Sequence, residues 1–401
     1  MANNLSSNIT RPLAKIFLEA FESSRVVTKT VNTQLLSGKF NPSTGTKVDF
    51  KRPHDYNSIR STGGDISAAA KSDIIAGKAT GTVQPYFTSA TEWSNIQEAL
   101  ELDQLDQILE PMARRLVTDL ELDLAKFMRI NTGLNYGARG TAVDAWSDVA
   151  GAGAMMDSVG VPMSDNKYYL MNPFTTTALA SAQSGLNAAD GLVRTAFEKA
   201  QIASNFGGMK ALTSNALSSY TSGSTTDRFG DLKTAPDATY VTAKDTMQQT
   251  MVIETLGTGT IEAGDQIQIA GVNRLNIATR QLILDATGAA VPWTGTVLSV
   301  VTIAGNEATV VVSGAAIFEA NGQYNNVDAA PAAGAVVTIL GAAGAVYQPN
   351  FFYTEQAFGL GTVKLPKLYS TDTVATTSDG MSIRVSKYSD GDANTQKIRF
   401  D

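Results

Sequence analysis

The chain has 401 residues, 43% hydrophobic and 17% charged, with a net charge of -7, no cysteine and a single histidine, His54. That length exceeds the ~250–300 residues at which one core stops growing, so more than one domain is expected. The missing cysteines exclude disulfides, thiolate zinc sites and cysteine nucleophiles, one histidine excludes multi-histidine metal centres, and the acidic balance excludes attraction to nucleic acid by bulk charge.

Residues 12–22, PLAKIFLEAFE, predict a short amphipathic helix in which Ile16, Phe17, Ala20 and Phe21 share a face. The β-branched VVTKTVNTQLL that follows is extended in character, so residues 1–37 read as an arm. Residues 38–92 carry scattered glycines and the alternating runs TKVDF and TGTVQPYF. They predict a long two-stranded excursion turning near Gly63-Gly64-Asp65. Arms of ~20 residues would reach roughly 65 Å, and a lone hairpin of that length needs a partner surface.

Residues 103–131 hold the clearest helical period. Leu105, Leu109, Met112, Leu116, Leu120, Leu124, Phe127 and Met128 recur every third or fourth position. The spacing predicts a helix over 111–131 with Pro111 in its first turn, a short helix before it, and an alanine-rich helix at 146–159. Within 161–234, KYYLMNP (167–173) reads as a buried strand and TTTALASAQSGL as the helix after it, a βα unit of an α/β or α+β domain. Residues 235–346 contain the strand-like runs TMVIET, DQIQIAGV, TVLSVVTI, EATVVVS and AVVTIL. They predict an all-β insert, a small barrel or sandwich. Residues 347–401 return to strands in NFFYTEQAF, SIRVSKY and KIRFD, so the insert interrupts a larger domain.

Enzyme motifs are nearly absent. There is no Walker-type glycine loop, no G-x-S-x-G and no H-E-x-x-H. Gly151-Ala-Gly153 and Gly359-Leu-Gly361 lack a third glycine and read as structural. Asp390, Asp392 and Asn394 have the spacing of a calcium loop, but Thr395 stands where the sharp turn needs glycine, so a polar hairpin is the better reading. His54 beside Asp55 has the composition of an oriented base with no nucleophile to serve, and reads as a surface histidine.

Charge is unevenly spread. Residues 1–90 hold eleven basic and six acidic residues, a net of +5, and residues 91–131 hold four basic and nine acidic, a net of -5. Lys47, Lys51, Arg52 and Arg60 on the extended excursion, and Asp119, Glu121 and Asp123 on the long helix, are therefore candidate inter-subunit contacts in a head-to-tail arrangement. The competing readings are solvated faces, or phosphate contact with Phe50 and Tyr56 stacking on bases.

The order of elements resembles that of tailed-phage major capsid proteins, the Johnson or Hong Kong phage fold. LEPMARRLVTDLELDLAKFM (109–128) looks like that family's spine helix and KYYLMNP like its strand-then-Asn-Pro turn. GDQIQIAGV (264–272) and IFLEAFESSRVVTKTV (16–31) resemble the insert and arm of coat proteins from short-tailed Salmonella phages with an inserted β-barrel. The length and N-terminus also look like the coat protein of the N-four group of coliphages. The resemblance implies an α+β capsid fold. Its parts would be an arm (1–37), an extended loop (38–92), a peripheral domain (93–160), an axial domain (161–234), an inserted β domain (235–346) and C-terminal strands (347–401). It implies a non-enzymatic shell of pentamers and hexamers around double-stranded DNA that it contacts weakly. No cofactor, metal or membrane is called for. A separate scaffolding protein, a portal and a possible decoration protein would be the partners, and the protein would be made in the bacterial host cytoplasm and end in the virion. A cell-surface or tail-associated adhesive protein, and an enzyme centred on His54, are the alternatives.

Overall fold

The computed structural model describes residues 17–33, 45–85, 87–94, 105–184, 196, 199–217, 219–363, 365–369, 372–378, 380–393 and 395–401. Residues 17–24 form helix α1, the described part of the helix expected over 12–22. Phe17 and Phe21, one turn apart, are buried, and the Phe17 ring stacks 4.0 Å from that of Phe400. The segment expected to run extended instead closes into a 3₁₀ turn, Val27–Lys29. Its free N-terminal amides find an acceptor: Val27 N–H donates to Glu121 Oε1 at 2.8 Å, and Val26 N–H donates to the same oxygen. Val27 and Val31 are buried, so the described stretch of the arm packs into its own subunit.

The extended loop is shorter in its ladder than expected. Strand β1 (Lys47–Lys51) pairs antiparallel with β2 (Lys78–Thr82), from Lys47↔Thr82 to Lys51↔Lys78. Five residues at about 3.3 Å each span roughly 17 Å rather than 65 Å. Alternation in the sequence is confined to these two runs, and Pro53 and the Gly63–Gly64 turn, with φ of 76° and 80°, sit between them. The loop leans on the barrel of its own chain. Asp55 pairs with Arg280, Asn57 Nδ2 donates to the Asn321 carbonyl at 2.8 Å, and Gln323 Nε2 donates to the Asp73 carbonyl at 2.6 Å.

After β3 (Ser89–Ser94) comes α2, Leu105–Ile130. It runs through Pro111, which the sequence placed in the first turn. A proline there removes one amide bond, to the Gln107 carbonyl, close enough to the helix start for the helix to continue across it. Helix α3 is Trp146–Val159, as expected, and stops at Gly160, whose φ is 108°. Strand β4 (Lys167–Met171) leads into α4 (Pro173–Ser184). Asn172 caps α4, its Oδ1 accepting the Thr175 N–H at 2.8 Å, and Pro173 takes the first helical position, where no amide is required. Strands β5 (Asn205–Phe206), β6 (Met209–Thr213) and β7 (Tyr220–Thr221) follow.

The strand-rich region begins earlier than residue 235. Its strands are β8 (Phe229–Leu232), β9 (Gln248–Glu254), β10 (Thr260–Ile261), β11 (Gln266–Asn273), β12 (Pro292–Val297), β13 (Val301–Thr302), β14 (Ala308–Ser313) and β15 (Val336–Ile339). Six of them close a barrel in the order β11-β12-β14-β9-β8-β15. The Phe-Gly-Asp-Leu of β8 is too short and polar to stand out in the sequence, yet it supplies the strand that shuts the barrel between β9 and β15. Trp293, wholly buried, fills the interior among Leu232, Met251, Ile253, Ile267 and Val310. Its Nε1–H donates to the Gly314 carbonyl at 2.9 Å. Gly295 faces that ring, and a Cβ there would come within 2.6 Å of it, so only glycine fits.

The chain enters and leaves the barrel side by side. β7 pairs antiparallel with β16 (Val346–Tyr347), Tyr220 facing Tyr347. Beyond this stem lie β17 (Phe351–Thr354), β18 (Thr373–Thr376), β19 (Ser382–Asp390) and β20 (Thr395–Phe400). A mixed sheet, β17-β4-β6-β5, has β4 parallel to β6 and carries α3 and α4 through Val149, Met156, Met171, Leu179 and Met209. An antiparallel sheet, β18-β19-β20-β3, packs Ile383, Val385, Ile398 and Phe400 against α1 and α2. The barrel is also docked outside the stem: Thr294 Oγ1 donates to the Gly133 carbonyl at 2.6 Å and Asn276 Nδ2 to the Ser158 carbonyl at 2.8 Å.

Candidate functional site

The basic and acidic residues singled out from the sequence fall on two separate elements. Lys47 and Lys51 are exposed on β1, and Arg60 is exposed on the irregular part of the loop. Lys51 lies opposite Lys78, a like-charge pair, and Lys78 turns away to Asp49 at 2.9 Å. The hydrogen bonds from Thr80 and from Lys78 hold the Asp49 carboxyl below its ordinary range, and Asp49 in turn raises the Lys78 ammonium. Arg52 differs from the other three. It is half-buried, its Nε donates to the Lys78 carbonyl at 3.2 Å, and its side chain lies beside Gly77 of its own loop.

On α2, Asp119 pairs with Arg115 at 3.0 Å and Asp123 is exposed. Glu121 must be removed from this set. It is 4% exposed, and its carboxylate accepts the amides at the start of the Val27–Lys29 turn. At about 100° per residue, a step of two places Glu121 on the face opposite Asp119 and Asp123. The sequence count of acidic residues could not separate the two faces. Glu121 stands four residues after Val117 and three and four before Leu124 and Ala125, and that helical spacing was the available signal that it turns toward the core.

The structure adds exposed apolar side chains that charge counting missed. Met163 is 87% exposed and Phe174 is 88% exposed, with Trp146 and Tyr136 also open to solvent. Phe174 is the second residue of α4, straight after the Asn172–Pro173 turn. Its position at a helix start, off the 3.6-residue stripe, was the legible signal.

Chemical-site readings resolve into local structure. The Asp55 carboxylate is taken by Arg280 and by the Tyr56 N–H at 2.9 Å, not by His54. Asp390 Oδ1 accepts the Asp392 N–H at 3.1 Å in the turn between β19 and β20; Asn394 lies outside the described residues. Gly151 packs under the Tyr136 ring, where a Cβ would collide with it. Among the described residues no group of three or more His, Asp or Glu side chains is arranged to hold a metal.

A family model described as "P22 coat protein - gene protein 5" matches residues 1–401. The chain belongs to the P22 coat protein family. A relative from Acyrthosiphon pisum secondary endosymbiont phage 1, named major capsid protein, is 46% identical over 406 residues, covering 100% of this chain and 95% of its own. Among solved structures, a chain from Mycobacterium phage Che8 aligns with a TM-score of 0.35 at 13% identity, covering 80% of this chain and 91% of that one. The capsid of cyanophage P-SCSP1u aligns with a TM-score of 0.31 at 14% identity over 75% and 82% of the two chains. In this P22-family coat protein the long helix α2 belongs to the α+β body, and the closed barrel stands on a two-stranded stem.

Proposed function

We infer that the protein is the major capsid protein of a tailed bacteriophage, many copies of which assemble into an icosahedral shell around a double-stranded DNA genome. Membership of the P22 coat protein family over residues 1–401 carries this reading. The physical features agree with it. An exposed loop of polar and basic residues lies against the barrel, apolar side chains such as Phe174 and Met163 stand open, and the charged fraction is only 17%. In a closed lattice such contacts are individually modest and are multiplied by the number of copies. No helix among the described residues is long and apolar enough to cross a membrane.

The chain is a coat protein of the short-tailed type with an inserted β domain; the likeness to the N-four group rests on length and N-terminus. It divides into the arm, extended loop, peripheral domain, axial domain, insert and C-terminal strands, and the pairing of Tyr220 with Tyr347 where the chain enters and leaves the barrel supports an insert. Copies form pentamers and hexamers, with Lys47, Lys51 and Arg60 of one lying near Asp119 and Asp123 of the next. Arg52 serves its own loop. A separate scaffolding protein, a portal and a decoration protein are the expected partners, and the chain is made in the host cytoplasm before entering the virion. Negative-stain microscopy of the purified protein under assembly conditions tests the function. Closed particles of uniform diameter are expected, and a protein that stays monomeric or forms only open fibres overturns it.

A further inference from the structure

We propose that the cavity at the root of the barrel stem is a binding site for a phosphate-class oxyanion. The cavity holds about 580 Å³ and is lined by Arg129 at the end of α2, Arg139 on the loop after it, and the facing stem residues Tyr220 and Tyr347. The Arg129 guanidinium lies 4.5 Å from the centre of the Tyr220 ring, and that of Arg139 lies 5.4 Å from it. Arg139 Nη2 donates to the Gly264 carbonyl at 3.1 Å. Its Nη1, together with Arg129 Nε, Arg129 Nη1 and the Tyr220 hydroxyl, is buried without a partner.

The neighbouring acceptors are committed elsewhere. Asp265 is wholly buried and accepts from the Ser222 hydroxyl at 2.8 Å and from the Gly223 and Glu262 amides at 3.0 Å each. It also lies 3.9 Å from Arg228, whose own donors go to Ser222, Gly223, Leu340 and Gly341. Asp148 lines the cavity too, but its carboxylate accepts the Ala145 N–H at 3.2 Å at the start of α3. Two guanidinium groups and one occupied carboxylate therefore line the cavity, with the charge of Asp265 acting on both arginines from outside its lining. Burial lowers the Arg139 guanidinium to about 10, so it remains charged at neutral pH.

Buried charged donors without acceptors are costly, and the cavity that these two arginines line is roomy enough for an anion. A tetrahedral oxyanion offers several acceptors at once, matches the planar fork of arginine, and gains from a site already carrying excess positive charge. Bound there, it would join the end of α2 to the stem and so fix the barrel on the body of the subunit.

The test is titration of inorganic phosphate into the unassembled full chain at neutral pH and constant ionic strength, with sodium chloride as the balancing salt. A saturable heat is expected, with a melting temperature that climbs with phosphate beyond the chloride control. Arg129→Gln should raise the half-saturating phosphate concentration about tenfold or more, and Arg129→Lys, which keeps the charge without the fork, should fall between it and the parent. A phosphate response equal to that of chloride overturns the proposal, as does unchanged phosphate affinity in Arg129→Gln. Should the glutamine variant fail to fold, the titration of the parent protein decides alone.

Discussion

Asp401 shows how much one side chain can hold together here. Its side chain is fully buried, accepts from Arg384 Nε at 3.0 Å and from Thr88 Oγ1 at 2.7 Å, and receives Arg399 Nε at 2.6 Å. These bonds tie β19, β20 and the segment before β3 into one sheet edge. Asp401→Ala would leave Arg384 buried without its counter-charge, and a loss of about 3–5 kcal/mol in urea unfolding of the unassembled chain is expected. Burial pushes the Asp401 carboxyl up, but the bonds from Thr88, Arg384 and Arg399 outweigh it and the group sits below its ordinary value. Its contribution is therefore complete above the unfolded carboxyl value, near pH 4, and is lost as pH falls through the lower folded value. Acid melts should show a steeper loss of stability below about pH 4 in the parent than in Asp401→Asn. Equal pH slopes would contradict the assignment.

The barrel and the loop lend themselves to separate tests. Residues 220–347 contain both stem strands and all six barrel strands, with Trp293 at the centre. Expressed alone, this fragment should melt cooperatively with a β-type circular dichroism spectrum. The fragment 235–346 lacks β8, leaves β9 and β15 with open edges, and should melt far lower or not cooperatively at all. Similar melts from the two fragments would show that β8 is dispensable. For the loop, replacing Lys47 and Lys51 by Glu should slow assembly while leaving the monomer's stability within about 0.5 kcal/mol, because both residues are exposed. Adding Asp119→Lys and Asp123→Lys should restore part of the rate, and salt should blunt the whole effect, since each surface pair is worth about 0–1 kcal/mol. Light scattering during assembly reads both, and an unaltered rate in the lysine variant removes the electrostatic contact.

As a whole molecule the chain carries a net charge of -7, and its exposed cations on the loop are few and dispersed. A shell must surround a strongly negative polymer without adhering to it, and counterion release scales with the number of phosphates neutralised. The unassembled protein should show no measurable binding to linear duplex DNA at about 150 mM salt. A micromolar complex with a steep salt dependence in a gel-shift or anisotropy titration would point to a nucleic-acid surface instead.

Local signals carried the repeating elements. The leucine period of α2, the alanine-rich α3, the Asn172–Pro173 boundary between β4 and α4, and the alternating runs of β9, β11 and β14 were all legible because each depends on neighbours within a few residues. Every feature that joins distant segments was not. Glu121 meets Val26 and Val27 across more than ninety positions, Asp55 meets Arg280 across the loop and barrel, and β8 earns its place only by pairing with β9 and β15. The stem and the arginine-lined cavity at its root arise the same way, from Tyr220 facing Tyr347 beneath the end of α2. Periodicity reports which face of an element is apolar, but what covers that face, and which charges meet beneath it, is set by chain segments far apart in sequence that come together only on folding.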